Sequence, residues 1–354
     1  MMLQKLTQQI QAARTRAVAH CKSAVEDMSD GRPWLKLVAM GLVLWLLILL
    51  IWGWMKSQEP EMFDIKEQAL GYVSAEHIKI HGVATTVSLL EVMEAVLDGY
   101  VSNDIFLPGV WLDNRANWEY GALVQVRDLS KALREAFSRS QSQSVENKSL
   151  MMADPLFNFD SASWIMPDTE KEYRTGMGHV KDYLNQLIKD ERNTAQFYAR
   201  ADNLNYWLAT VESRLGSLSQ RLSASVGQRR LNTDLAGDSA AAQSTSSPAE
   251  MEIKTPWLEI DDIFYETRGG AWALIHILKA VEIDFSEVLA KKNASVSVQQ
   301  IIRELEATQE TVYSPVILNG SGFGTLANHS LVMGSYIARA NAAIINLREL
   351  LAQG

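Results

Sequence analysis

The chain has 354 residues, of which 47% are hydrophobic and 21% charged, and its formal net charge is −9. Proportions of this kind belong to a folded protein and exclude both a wholly disordered chain and a polytopic membrane protein. The acidic balance speaks against nucleic acid as a partner, and a lone cysteine, Cys21, allows neither an intramolecular disulfide nor a cysteine-based zinc site.

Residues 1–33 read as a cytoplasmic amphipathic helix. Leu3, Leu6, Ile10, Ala13, Ala17 and Ala24 fall on alternating three- and four-residue steps. Such a stripe either lies on the inner leaflet or pairs with another helix. Gly31 and Pro33 end it. Leu37 to Met55 is then an unbroken run of nineteen uncharged residues between Lys36 and Lys56, with Trp34, Trp52 and Trp54 at its ends. At ~1.5 Å rise per residue such a run nearly spans a ~30 Å hydrocarbon core, so a transmembrane helix is expected over 34–56. The absence of a small-residue cleavage site argues for a retained anchor. Six basic residues precede the run, whereas only Lys56 and Lys66 fall in the twenty after it. The amino terminus is therefore expected in the cytoplasm and the rest outside. Residues 1–36 carry six basic against three acidic groups, net +3, which leaves −12 for the exported part.

The exported part reads as helix after helix, in two regions, 57–226 and 256–354, that together complete a bundle. Helical faces are expected over Gly82–Asp98, stopped by Gly99, over Tyr120–Ser138, and from Thr169 to Leu187, where Thr169 and Glu172 have capping-box spacing. From Asn193 to Val226 the residues Phe197, Ala201, Leu204, Leu208, Val211, Leu215, Leu218 and Leu222 keep a heptad rhythm, which predicts a long bundle or coiled-coil helix. Asn193 with Gln196 fits a cap at its start, and the serines and glycines near its end favour fraying. Residues 227–255 are a flexible loop or linker, with Ala236–Glu250 small, polar and without an aromatic residue. Beyond it come Ile263–Leu289, where Gly269 and Gly270 mark a kink or close helix contact, then Val298–Gln309 with Ser297 and Gln300 at capping-box spacing, then Leu326–Leu351. No sustained period-two run is long enough for a sheet, so the fold class is all-α. Asn103–Phe106 and Asp261–Phe264 are near copies, a faint hint of a duplicated hairpin.

Signs of chemistry are sparse. His77 and His81 have metal-ligand spacing on a helix but no catalytic glutamate between them, and His276 sits among apolar neighbours as a core histidine does. Asn319–Thr325 is glycine-rich like a phosphate loop, yet the lysine and preceding strand are missing, so a turn into a helix is the better reading. No catalytic, cofactor-binding or metal-binding residue is assigned. The richest cluster is Pro108–Tyr120, where Trp111, Asp113, Asn114, Arg115, Trp118 and Glu119 combine aromatic faces with hydrogen-bonding groups. It reads as a loop that either contacts a protein partner or a glycan, or is pinned into the core by its tryptophans. In a glycosidase, Asp113 and Glu119 would be the acid and base.

Five words of sequence carry a family resemblance: His81–Val83, Ser102–Phe106, Pro108–Asn114, Gln196–Leu204 and Asp262–Glu266. Through them the chain resembles the uncharacterised single-pass inner-membrane proteins of gammaproteobacteria grouped as domain of unknown function 2333, from the anchor to the final helix. The resemblance implies a Gram-negative inner membrane and a periplasmic body, and it supplies no catalytic residue or substrate. The expected function is a non-enzymatic, membrane-anchored scaffold, adaptor or assembly factor of an envelope complex, with an envelope protein or a second copy as partner. The alternative is a periplasmic enzyme or binding protein acting on cell-wall glycan through Trp111–Tyr120.

Overall fold

A computed structural model describes residues 33–139, 145–189, 195–231, 250–314, 316–321 and 324–353. All but Pro33 of the helix expected over 1–33, the cap at Asn193 and nearly all of the polar stretch Ala236–Glu250 lie outside the described residues. The chain divides into two units, one ending at Met55 and the other running from Lys56.

In the first unit, helix α1 covers Pro33–Lys56, 24 residues. From Trp34 on it is long and apolar enough to cross a membrane. Leu37, Leu44, Ile51 and Trp54 stand exposed along it, which costs free energy in water and none in hydrocarbon.

The second unit is built of α2 (Ile65–Tyr72), α3 (Val83–Leu97), α4 (Asp113–Ala132), α5 (Lys148–Phe157), α6 (Thr169–Lys189), α7 (Ala201–Ser223), α8 (Ile260–Asp284), α9 (Ser286–Lys291), α10 (Ser295–Glu306) and α11 (His329–Ala352). Helix α8 is its axis. Every residue from Thr267 to Leu278 is buried, the mark of a helix surrounded on all sides. Around it pack α3, α4 and α10. The tightest crossing is with α4, where glycine meets backbone: a Cβ on Gly269 would lie 2.0 Å from the Trp118 carbonyl oxygen, and one on Gly121 would lie 1.9 Å from that of Glu266. The glycine pair at 269–270 thus marks a close helix contact.

Helices α7 and α11 form an antiparallel pair. Gly334 lies against Leu222, while Arg348 at the other end bonds Asn205 and Glu212. Leu204, Leu208, Val211, Leu215, Leu218 and Leu222 are all buried, so the heptad stripe is core, and truncating any one leucine to alanine would cost roughly 2–5 kcal/mol. The glycine and serines near its end do not fray it: the helix holds to Ser223 and tightens into a 3₁₀ turn over Ala224–Val226.

Several boundaries differ from expectation. Helix α4 begins at Asp113, seven residues before Tyr120, and ends in a wider turn, Leu133–Phe137, closed by Ser138 N–H to the Leu133 carbonyl at 3.0 Å. Helix α7 begins at Ala201; Gln196 and Phe197 precede it, with Phe197 packed on Phe137 and Phe285. Both proposed capping boxes are wrong. The Asp168 carboxylate accepts from Lys171 N–H at 2.7 Å, while Thr169 donates its hydroxyl to the Asp160 and Ser163 carbonyls; Ser297 lies inside α10. Two short strands, β1 (Gln228–Leu231) and β2 (Glu250–Ile253), pair antiparallel, Gln228 opposite Ile253. The near copies do not match in conformation: Asn103–Phe106 lies outside regular structure and Asp261–Phe264 is helical.

One helix is capped from far along the chain. Gly82, at φ +92°, precedes α3 without a capping side chain. In its place the Asp284 carboxylate accepts from the Thr85 N–H at 2.7 Å and the Thr85 hydroxyl at 2.6 Å. Burial pushes the Asp284 carboxyl up to about 6 from 3.8, against the lowering effect of these donors. The folded state thus holds a proton that the unfolded chain releases between pH 4 and 6. This group's stabilising contribution is complete below about pH 4 and is lost as pH rises through 6, a change on the order of 3 kcal/mol. We expect Asp284→Asn to remove that dependence, so that its unfolding free energy relative to the parent improves between pH 4 and 6 and is level above. Denaturant titrations of the detergent-solubilised chain across this range check it; a difference constant with pH would refute the shift.

Candidate functional site

The cluster Trp111–Glu119 is not a loop. A short 3₁₀ turn, Gly109–Trp111, leads directly into α4. Trp111, Asp113 and Tyr120 face outward, Asn114 is half-buried, and Arg115, Trp118 and Glu119 point into the body. Arg115 and Glu119, one turn apart, form a buried ion pair, Nε to Oε1 at 3.1 Å. Glu119 also accepts from the Val101 and Ser102 N–H groups, each at 3.1 Å to Oε2, and from the Ser102 hydroxyl at 2.7 Å. Burial raises its pKa, while the Arg115 guanidinium, the Ser102 hydroxyl and the two amides lower it. All its partners are donors, so it serves as a structural acceptor. Asp113 and Glu119 do not converge in an open cleft, since one is on the surface and the other is sealed.

Arg115 does more than neutralise Glu119. Its Nη2 donates to the Asp98 and Ala95 carbonyls at 3.1 and 3.4 Å, at the carboxy-terminal end of α3, and its guanidinium lies over Trp118, 4.7 Å from the ring centre. A cation there complements the negative end of the helix. Its Nη1 donates to the Gln58 carbonyl at 3.1 Å. Arg268, in the buried run of α8, repeats the arrangement. It donates to the Thr308, Gln309 and Glu310 carbonyls at 3.1, 3.0 and 2.7 Å, closing the 3₁₀ turn Ala307–Gln309 that ends α10, and its Nε meets the Glu59 carboxylate at 2.7 Å. Lys56 completes the set with Asp104, Nζ to Oδ2 at 2.9 Å. Lys56, Gln58 and Glu59, in the stem at the end of the apolar helix, are thus held by Asp104, Arg115 and Arg268. Arg268 carries little signal in the sequence beyond being a cation at the head of the run from Gly269 to Leu278.

Arg268 also lines a cavity of about 330 Å³, together with Phe264, Thr308, Tyr313, His329, Met333 and Tyr336. Its polar groups are mostly committed to structure. The His329 Nδ1 accepts from the Leu318 N–H at 3.2 Å, and Thr308 donates its hydroxyl to Leu305 at 2.5 Å. Gly320 N–H bonds the Ala327 carbonyl at 2.9 Å, which makes the described part of the glycine-rich segment a turn into α11. Asn328, the cap of α11, accepts from Leu331 N–H at 2.9 Å.

The histidines stand apart. His77 is in a 3₁₀ turn and meets the Ser74 hydroxyl at 2.9 Å, whereas His81 meets the Asp284 carbonyl at 2.8 Å. His276 is buried, stacked on Phe63 at 3.7 Å between ring centres, and burial pushes its pKa down to about 3. Among the described residues no cluster of three or more histidine, cysteine or carboxylate side chains is placed to hold a metal ion.

Residues 28–354 match the family described as "Uncharacterized protein conserved in bacteria", domain of unknown function 2333. The chain belongs to this family. The match takes in α1, the stem and the whole helical body, so both buried arginines lie within the family domain. No curated protein and no solved structure matches the chain.

Proposed function

We propose that this protein is a membrane-anchored helical scaffold, adaptor or assembly factor of a cell-envelope complex, with its amino terminus in the cytoplasm and its main body in the periplasm. The observation that carries the reading is the stem clamp. Two buried arginines tie Gln58 and Glu59, just after the apolar helix, to the ends of two separate body helices. A clamp of this kind joins the first residues of the body to its helices, an arrangement that suits a body displaying a surface to a partner. The cavity beside Arg268 supports it further, because its exposed Tyr313 and apolar floor suit an aromatic or aliphatic side chain of a partner. The glycan alternative draws less support, with Glu119 and Trp118 both committed to the interior.

Two measurements test this. A reporter fused after Gly354 should be active only if it works in the periplasm; a cytoplasmic reporter active there would overturn the orientation. A photo-crosslinking residue at Tyr313 should give one discrete protein adduct in intact cells, lost when Met333 is replaced by arginine to fill the cavity. An adduct pattern indifferent to Met333→Arg would refute the cavity as the docking place.

A further inference from the structure

The chain enters the body at Lys56, and the surface of the body around that point is apolar. Lys56 is both the last residue of α1 and the partner of Asp104. Asp104 in turn is wedged against Gly109, where a Cβ would lie 2.1 Å from its Oδ2. The segment from Ile105 to Trp111 is therefore held within a side chain's reach of the point where the apolar helix ends. On it Phe106 is 75% exposed and Trp111 59% exposed, with Ile105 and Val110 also outward. At the start of α8, Trp257 and Leu258 are 74% and 76% exposed. They join the same end of the body, because Asn117, in the first turns of α4, donates to Asp262 at 2.7 Å in the first turn of α8. Large aromatic and aliphatic side chains left in water are costly, whereas indole and phenyl rings favour the headgroup layer of a bilayer.

We propose that Ile105–Trp111 and the Trp257–Leu258 turn insert into the interfacial layer of the membrane, as a second contact beside the anchor. This rests on α1 spanning the bilayer. The occupant is lipid rather than a protein because the patch is continuous with the residue that leaves the membrane. The neighbouring acidic groups Asp113, Asp261 and Asp262 make the attraction apolar and not electrostatic.

The full-length chain in a Cys21→Ser background, with single cysteines from Phe106→Cys, Trp257→Cys, Val296→Cys or Leu47→Cys, tests it. Each is labelled with an environment-sensitive fluorophore and reconstituted into phosphatidylcholine vesicles carrying nitroxide lipids of shallow or deep label. Val296 is exposed near the far end of α8, since Gln299 bonds Glu282 there. Along a helix of 25 residues, at ~1.5 Å each, that end is roughly 36 Å away. Positions 106 and 257 should lose most of their emission to the shallow nitroxide, position 296 none, and position 47 should be quenched by the deep one. Quenching at 47 with 106 and 257 no more affected than 296 overturns the lipid contact alone; no quenching at 47 overturns the anchor as well. A shielded emission at 106 that depends on protein density and not on the nitroxide assigns the patch to a second copy and likewise overturns the proposal.

Discussion

Gly269→Ala should destabilise the protein by at least about 3 kcal/mol, the upper end of what overpacking a core costs. The added methyl would sit 2.0 Å from the Trp118 carbonyl oxygen and 2.7 Å from its carbon. Those are backbone atoms of a helix, and no side-chain rotation relieves them. Helices α4 and α8 would have to separate, which also loosens the contacts of Trp118 with Trp272, now 5.1 Å apart between rings. Gly121→Ala should behave alike, from the other side of the same crossing. Gly178→Ala serves as the contrast: it lies in α6 with open space where the methyl would go, so higher helix propensity should stabilise it by about 0.5–1 kcal/mol. Chemical denaturation of the three variants in detergent micelles checks the set, and a Gly269→Ala midpoint within error of the parent would show that the crossing is loose.

The second large effect belongs to the buried ion pair. Removing Glu119 leaves the Arg115 guanidinium without its anion and two backbone N–H groups without an acceptor, so Glu119→Ala is expected to cost roughly 3–5 kcal/mol. Glu119→Gln should recover little. One amide oxygen cannot serve donors on both sides of the carboxylate, and its NH₂ would face them. Arg115→Ala should cost a comparable amount, since it also uncovers the last carbonyls of α3. The pair acts as a unit, so the double variant should fall short of the sum by about 0.5–3 kcal/mol. Strict additivity in that cycle would mean that the two residues act independently and that the coupling is mistaken.

The interior of each helix was legible because burial imposes a period, and the period survives in the residues. Leu204 to Leu222 and Met333 to Leu351 are the clearest instances. The ends were less so. Phe197 falls in heptad register with α7 yet belongs to an aromatic contact outside it, and nothing in the spacing separates the two cases. The first turns of α4 looked like a loop because Arg115 and Glu119 are charged, whereas their four-residue spacing puts both on the buried face. Capping read from nearest neighbours failed at α6, where the acceptor is the Asp168 carboxylate, and no local spacing points to the cap of α3, a carboxylate 199 residues away. The candidate cluster was found, but its meaning changed. Half of it, Arg115, Trp118 and Glu119, holds the body together, and the outward half, Trp111 with its neighbours, faces the side where the stem enters.

That distant cap also bears on the order in which the molecule can be made. A chain synthesised from its amino end contains α3 long before residue 284 follows. Until then the first turn of α3 has no carboxylate to meet Thr85, and the crossing at Gly121 has no Gly269 to meet. Contacts between positions so far apart are the slow kind to form. The amino-terminal half of the body must therefore wait, with its apolar faces open, for α8 to emerge and close them, and this interval is when a chaperone that holds unfolded chains has something to bind.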